Sequence, residues 1–152
     1  MLQPRSGEFA LDLYAGVGLF AAALAEPLGA GGRVIAIEGY PGATADATFN
    51  LRDVPTVLVE TGRVDKVLLR LGLKRADIVV LDPPRKGAGA DVVRRIVALR
   101  PRAIAYVACD PASLARDVAT FAAAGYVLSQ LRAFDLFPMT QHVECVATLR
   151  PI

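Results

Sequence analysis

Cys109, Glu144, Asp82 and Arg85 are the residues whose types and settings could do chemistry. Cys109 stands directly before Asp110-Pro111, where proline suits the first turn of a helix. Unpaired N–H groups and the dipole at a helix start would stabilise a thiolate there. Asp110 opposes that thiolate by its charge, although aspartate is also a good helix cap. Taken alone, a cysteine is more often a small core residue than a nucleophile. Glu144 is a charge inside the otherwise apolar run VECVATL. A buried carboxylate is costly without a partner or a task, and Arg85 is a candidate partner. Cys145 alternates to the opposite face from Glu144 and reads as core packing.

A thiolate beside a carboxylate base suits one kind of methyl acceptor. Oxygen and nitrogen acceptors already carry a lone pair, whereas carbon 5 of a pyrimidine must be activated. A thiolate adding to carbon 6 makes carbon 5 an enolate-like nucleophile, which can then take a methyl group. A base removes the carbon-5 proton and the thiolate leaves. Cys109 and Glu144 would fill those two roles next to a methyl donor.

These side chains must be positioned by elements legible in the chain. Short apolar runs that read as strands alternate with helical stretches. Strands are expected at Phe9–Tyr14, Arg33–Glu38, Thr56–Val59, Asp77–Leu81, Ala103–Val107, Val127–Phe134 and Val143–Leu149. Helices are expected at Leu19–Leu28, Gly42–Leu51, Val64–Leu71, Asp91–Leu99 and Pro111–Ala124. Continuous Val/Ile/Leu strands between helices indicate a mostly parallel sheet covered on both faces. Only Asp135–His142 joins the last two strands, too short for a helical crossover, so they should pair antiparallel. The expected fold is α/β and Rossmann-like: a mostly parallel seven-stranded sheet ending in an antiparallel hairpin, the class I methyltransferase architecture.

Asp12-Leu13-Tyr14-Ala15-Gly16-Val17-Gly18 falls where the first strand meets the first helix. Ligands of open α/β sheets bind at this carboxyl edge. Gly16 and Gly18 allow a tight turn and close backbone approach. The loop also satisfies the loose GxGxxG/A pattern of dinucleotide-binding proteins. Asp12 favours another ligand, because a carboxylate there would repel a pyrophosphate and attract the amino group and sulfonium of S-adenosylmethionine (SAM). Asp12, Tyr14, Gly16 and Gly18 are therefore candidate cofactor residues. Glu38, ending the second strand, could hold ribose hydroxyls. Glu60, just after the third strand, is a candidate near the adenine, and Asp82 would border the methyl donor.

Composition narrows the classes. The 152 residues fit one domain, and 54% are hydrophobic, enough for a sizeable core. The net charge of +2 permits a nucleic-acid partner without demanding one. Two cysteines without a CxxC and a single histidine, His142, argue against zinc and against a disulfide framework, and fit a reducing cytoplasm. The start MLQPRSGEF has no apolar signal core, and no run is long enough to span a membrane. The first strand begins so early that the chain reads as a fragment.

The segments DLYAGVGLF, VIAIEG, LDPPRKG, YVACDPASLARD and FDLFPMTQHVECV, in this order, resemble the RNA (uracil-5-)-methyltransferase family. The resemblance covers essentially the whole chain. It implies methyl transfer from SAM to carbon 5 of a uridine in transfer or ribosomal RNA. It implies that Cys109 is the nucleophile and Glu144 the carbon-5 base. Asp82 would lie at the junction of SAM and uracil, and Arg85 would support Glu144 or the nucleotide. Gly16, Gly18 and Glu38 would belong to the SAM site. Two departures stand out: family members commonly carry Asn where this chain has Asp110, and they carry an N-terminal RNA-binding region and a glutamine-containing segment before the first strand. Residues 1–152 are thus expected to be the catalytic domain, weak in SAM and RNA binding alone. The competing readings are an inactive methyltransferase-fold module for binding or structure, and a cytosine-5 RNA methyltransferase. The latter typically places a cysteine after proline in the fourth-strand motif, and DPPRKG has none. An NAD-dependent oxidoreductase is disfavoured by Asp12.

Overall fold

A computed structural model describes residues 1–136, 139 and 143–152. The chain runs β1 (Phe9–Leu13), α1 (Leu19–Leu28), β2 (Arg33–Glu38), α2 (Pro41–Asn50), β3 (Val57–Thr61), α3 (Val64–Leu71) and β4 (Ile78–Leu81). It continues α4 (Ala90–Ala98), β5 (Ala103–Ala108), α5 (Pro111–Ala123), β6 (Tyr126–Phe134) and β7 (Glu144–Pro151). The strands form one seven-stranded sheet in the order β3-β2-β1-β4-β5-β7-β6. β1 to β5 pair in parallel, and β7 pairs antiparallel with both β5 and β6. This is the expected Rossmann-like methyltransferase fold.

Two apolar layers hold the sheet. On one face Leu11, Leu13, Val79, Leu81, Ile104 and Tyr106 meet Val67, Val93, Ile96, Leu114 and Phe121 of α3, α4 and α5. On the other, Ala10, Val34, Ala36, Ile78 and Val80 meet Ala21, Leu24 and Leu28 of α1, Ala47 of α2 and Leu51 at its end. Each large side chain removed from water contributes about 1.5–3 kcal/mol, offset by ordering entropy. The small alanines let α1 lie close on β1 and β2. Strand alternation therefore assigns every site residue to one face or the other.

The third strand differs from expectation. It extends through Glu60 and Thr61, because its ladder with β2 runs from Val34↔Val57 to Glu38↔Thr61. Backbone pairing with a buried neighbour outweighs the polar character of its last two residues. Among the described residues no helix is long and apolar enough to cross a membrane.

Candidate active site

The carboxyl ends of β1, β2, β4 and β5 and the start of β7 lie along one edge of the sheet. The antiparallel ladder pairs Ala108 with Cys145, so the next opposed positions are Cys109 and Glu144. Cys109 is partly buried and Glu144 begins β7, also partly buried. Alternation puts both on the α1 face, because Ala103 and Ala105 pack there while Cys145, Ala147 and Leu149 pack on the other. Asp12, Glu38 and Asp82 share the same parity. Cys145 falls on the opposite face, as strand alternation requires, and Glu60, expected near the adenine, also lies on that opposite face.

The glycine loop is shaped by its own backbone. Tyr14, Gly16 and Gly18 have φ of 62°, 54° and 90°, all left-handed. A non-glycine residue in that region costs about 1–2 kcal/mol, so Tyr14 is held there by its surroundings. Gly18 caps α1 and passes so close to α2 that a Cβ on it would lie 2.7 Å from Leu51 Cδ1. The Gly16 N–H donates to Glu38 Oε2 at 2.9 Å, and the Tyr40 N–H donates to Glu38 Oε1 at 2.8 Å. Glu38 thus ties the loop to the end of β2 and keeps lone pairs for a ligand.

Four carboxylates, Asp12, Glu38, Asp82 and Glu144, crowd this edge. Asp12 is completely buried, and neither of its oxygens has a hydrogen-bond partner. Burial pushes its carboxyl up to about 7; the nearby Ala21 N–H offsets this only in part, without forming a full hydrogen bond, and the charges of Asp82 and Glu38 add to the rise. Asp82 opens to solvent on one side, yet partial burial and the charge of Glu144 hold its carboxyl above the usual range. A cavity of about 640 Å³ adjoins them. Its walls include Tyr14, Glu38, Arg63, Asp65, Asp82 and the segment from Lys86 to Val92. Burial, helped by the charges of Asp117 and Asp65, pushes the Tyr14 phenol up to about 12. Asp12, fully buried, is not on the wall of this cavity.

Other sequence candidates are placed as follows. Glu60 accepts from Arg70 Nη2 at 2.6 Å and is off the cavity wall. Asp110 caps α5, accepting from the Ser113 N–H at 2.7 Å. That bond, with Arg116 and Arg85 nearby, holds its carboxyl below the usual range. Much of its charge is therefore directed at the helix start and not at Cys109. Arg85 is exposed, and its charge acts on Asp110. His142 lies outside the described residues.

Sequence reasoning missed Arg63 and Asp65 at the start of α3, and the buried pair Tyr106 and Asp117. A signal for Asp117 was present. It occupies the apolar stripe of α5, three residues after Leu114 and four before Phe121.

Comparison with known proteins accords with this geometry. Residues 60–151 match the family model described as tRNA (Uracil-5-)-methyltransferase. The chain belongs to this family. An uncharacterized RNA methyltransferase of Streptomyces avermitilis is 57% identical over 150 residues, covering 99% of this chain and 35% of its own length. A second, from Streptomyces coelicolor, is 55% identical over 150 residues, covering 99% of this chain and 33% of its own. The chain thus spans about a third of the length of these curated relatives. Among solved structures, the Pyrococcus abyssi tRNA (uracil-54, C5)-methyltransferase in complex with S-adenosyl-L-homocysteine (SAH) superposes with a TM-score of 0.80. It is 34% identical and covers 97% of this chain and 36% of the archaeal chain.

Proposed function

We propose that this chain is the catalytic domain of a SAM-dependent RNA (uracil-5-)-methyltransferase acting on transfer or ribosomal RNA through a covalent cysteine adduct. The observation that carries the reading is the opposition of Cys109 and Glu144 across the β5–β7 ladder, next to Asp82. A nucleophile and a carboxylate on one face of one sheet edge are what pyrimidine carbon-5 substitution needs.

The residues present fit SAM. Asp12 is a buried carboxylate lacking a partner, and Asp12, Glu38 and Asp82 raise the negative potential where a cationic ligand would sit. Tyr14, Gly16, Gly18 and Glu38 would hold the cofactor at the loop, and Asp82 would face both cofactor and base. When bound, SAM supplies an electrophilic methyl group. Relatives whose names specify RNA methylation, and a tRNA uracil-54 enzyme holding SAH, support the same choice.

The chain's own residues would act in order. Cys109, at the start of α5, adds as thiolate to carbon 6 of the uracil, and the electron pair moves to carbon 5. Asp82 orients the base, with Arg85 supporting the nucleotide. After carbon 5 has been methylated, Glu144 takes its proton. The carbon 5–carbon 6 double bond re-forms and Cys109 leaves as thiolate.

This order sets a test. Glu144→Gln removes the base but keeps the nucleophile, so the adduct should form and persist. With RNA and SAM, a protein–RNA band resistant to denaturing gel conditions should accumulate while turnover falls by about 10²–10⁴-fold. Near-normal turnover with no trapped band would remove Glu144 from the mechanism.

A further inference from the structure

Behind the cavity wall, α5 carries a buried carboxylate whose partners all come from that wall or from β5. Asp117 is 5% exposed. Its Oδ2 accepts from the Tyr106 hydroxyl at 2.6 Å and from the Ala88 N–H at 2.7 Å. The Gly89 N–H lies 3.3 Å from each carboxylate oxygen. Tyr106 is fully buried in β5, and its oxygen also accepts from the Ala88 N–H at 3.1 Å. Burial and the hydrogen bond to Asp117 keep its phenol protonated far above the usual range.

The loop is moulded to this carboxylate. Gly87 has φ +85°, and a Cβ there would lie 2.7 Å from Asp117 Oδ2. Gly89, with φ +82°, caps α4. Little apolar burial holds residues 84 to 89, where every position except Gly87 is exposed or half-exposed. Their placement must come from hydrogen bonds, and buried charge-assisted ones are the strong kind. Trans peptide geometry then turns the Gly87 and Ala88 carbonyls away from Asp117. The same loop begins at Asp82, and the same helix begins just after Cys109.

We infer that Asp117, with Tyr106, is a positioning residue for methyl transfer: the pair clasps the loop after β4 to the helix after Cys109, fixing the cavity wall relative to the nucleophile. This rests on the SAM reading given above. Asp117 and Tyr106 touch neither substrate nor cofactor in it. Their effect travels through Gly87, Ala88 and Gly89, which line the cavity.

The test uses this 152-residue chain and SAH in calorimetry, alongside thermal melts. Tyr106→Phe conserves the core shape and removes one donor, and SAH should bind about 3–10-fold more weakly. Asp117→Ala leaves the Gly89 N–H and the Tyr106 hydroxyl without their acceptor and the Ala88 N–H with only the Tyr106 oxygen, and affinity should fall about 30-fold or more, with Asp117→Asn recovering part of it. Ile96→Val, a core change in α4, should lower the melting temperature without altering affinity. Wild-type affinity in both folded Tyr106→Phe and Asp117→Ala would overturn the clasp alone. The unaltered chain is titrated far enough to register the weak affinity expected of residues 1–152 alone; no SAH binding even then would overturn the SAM reading and the inference with it. If Asp117→Ala does not fold, Tyr106→Phe against Ile96→Val decides.

Discussion

Cys109→Ala should abolish methyl transfer. Removing a nucleophile costs on the order of 10⁴-fold or more in turnover, because no other group can take over its bond. Cys109 sits opposite Glu144 at the edge of the β5–β7 ladder, whereas Cys145 faces the α3–α5 layer beside Ala147 and Leu149. Burial pushes the Cys145 thiol up, assisted by the charge of Glu144, so it is a poor nucleophile as well as a misplaced one. Cys145→Ala should therefore retain methyl transfer, apart from a modest loss of packing. The pair of variants is assayed by transfer of labelled methyl groups to unmodified RNA. Substantial turnover by Cys109→Ala would mean that carbon 5 is activated without a covalent bond to this residue.

Asp12→Asn should stabilise the ligand-free chain at pH 8 while weakening cofactor binding. The folded carboxyl is raised from 3.8 to about 7. Between those values the folded chain keeps a proton that the unfolded chain has released. Stability therefore falls as pH rises through that window, and above pH 7 the ionised group costs about 4 kcal/mol as an upper bound. Asn is neutral at every pH but brings its own buried amide, worth about 1–3 kcal/mol of penalty. A net gain of about 1–3 kcal/mol at pH 8 follows, shrinking to nothing or reversing near pH 4. Denaturant titrations of both chains across this range give the difference directly. A loss of stability at pH 8 would show that the Asp12 charge is already satisfied in the fold. SAH calorimetry on the same variant should show weaker binding, since the carboxylate that complements the ligand's ammonium group is gone.

The Asp12 case shows why some of the site was legible and some was not. A carboxylate one turn of chain before a glycine loop has few structural uses, so its type and spacing carried the argument. The short β6–β7 connection made the antiparallel sense of that pair legible, but the insertion of β7 between β5 and β6, which sets Cys109 against Glu144, is a tertiary fact. Glu60 was harder. Its strand ran two residues further than its composition implied, and the Arg70 ion pair depends on how α3 packs. Asp110 could be recognised as a cap, but the moderating effect of Arg85 and Arg116 is a tertiary fact. The Asp117–Tyr106 pair joins residues eleven apart on different elements to a loop nearly thirty residues away. Only the interruption of an apolar stripe hinted at it.

Covalent catalysis by Cys109 is tested most directly with RNA carrying 5-fluorouridine together with SAM. Fluorine cannot be removed as a proton, so the methylated adduct should stay on the protein. The two cysteines fall in separate tryptic peptides, residues 103–116 and 133–152, so mass spectrometry distinguishes them. Covalent catalysis by Cys109 predicts a methylated fluorouridine adduct on that residue. An adduct on Cys145, or carbon-5 methylation of normal uridine in a parallel reaction with no adduct on Cys109, would contradict it.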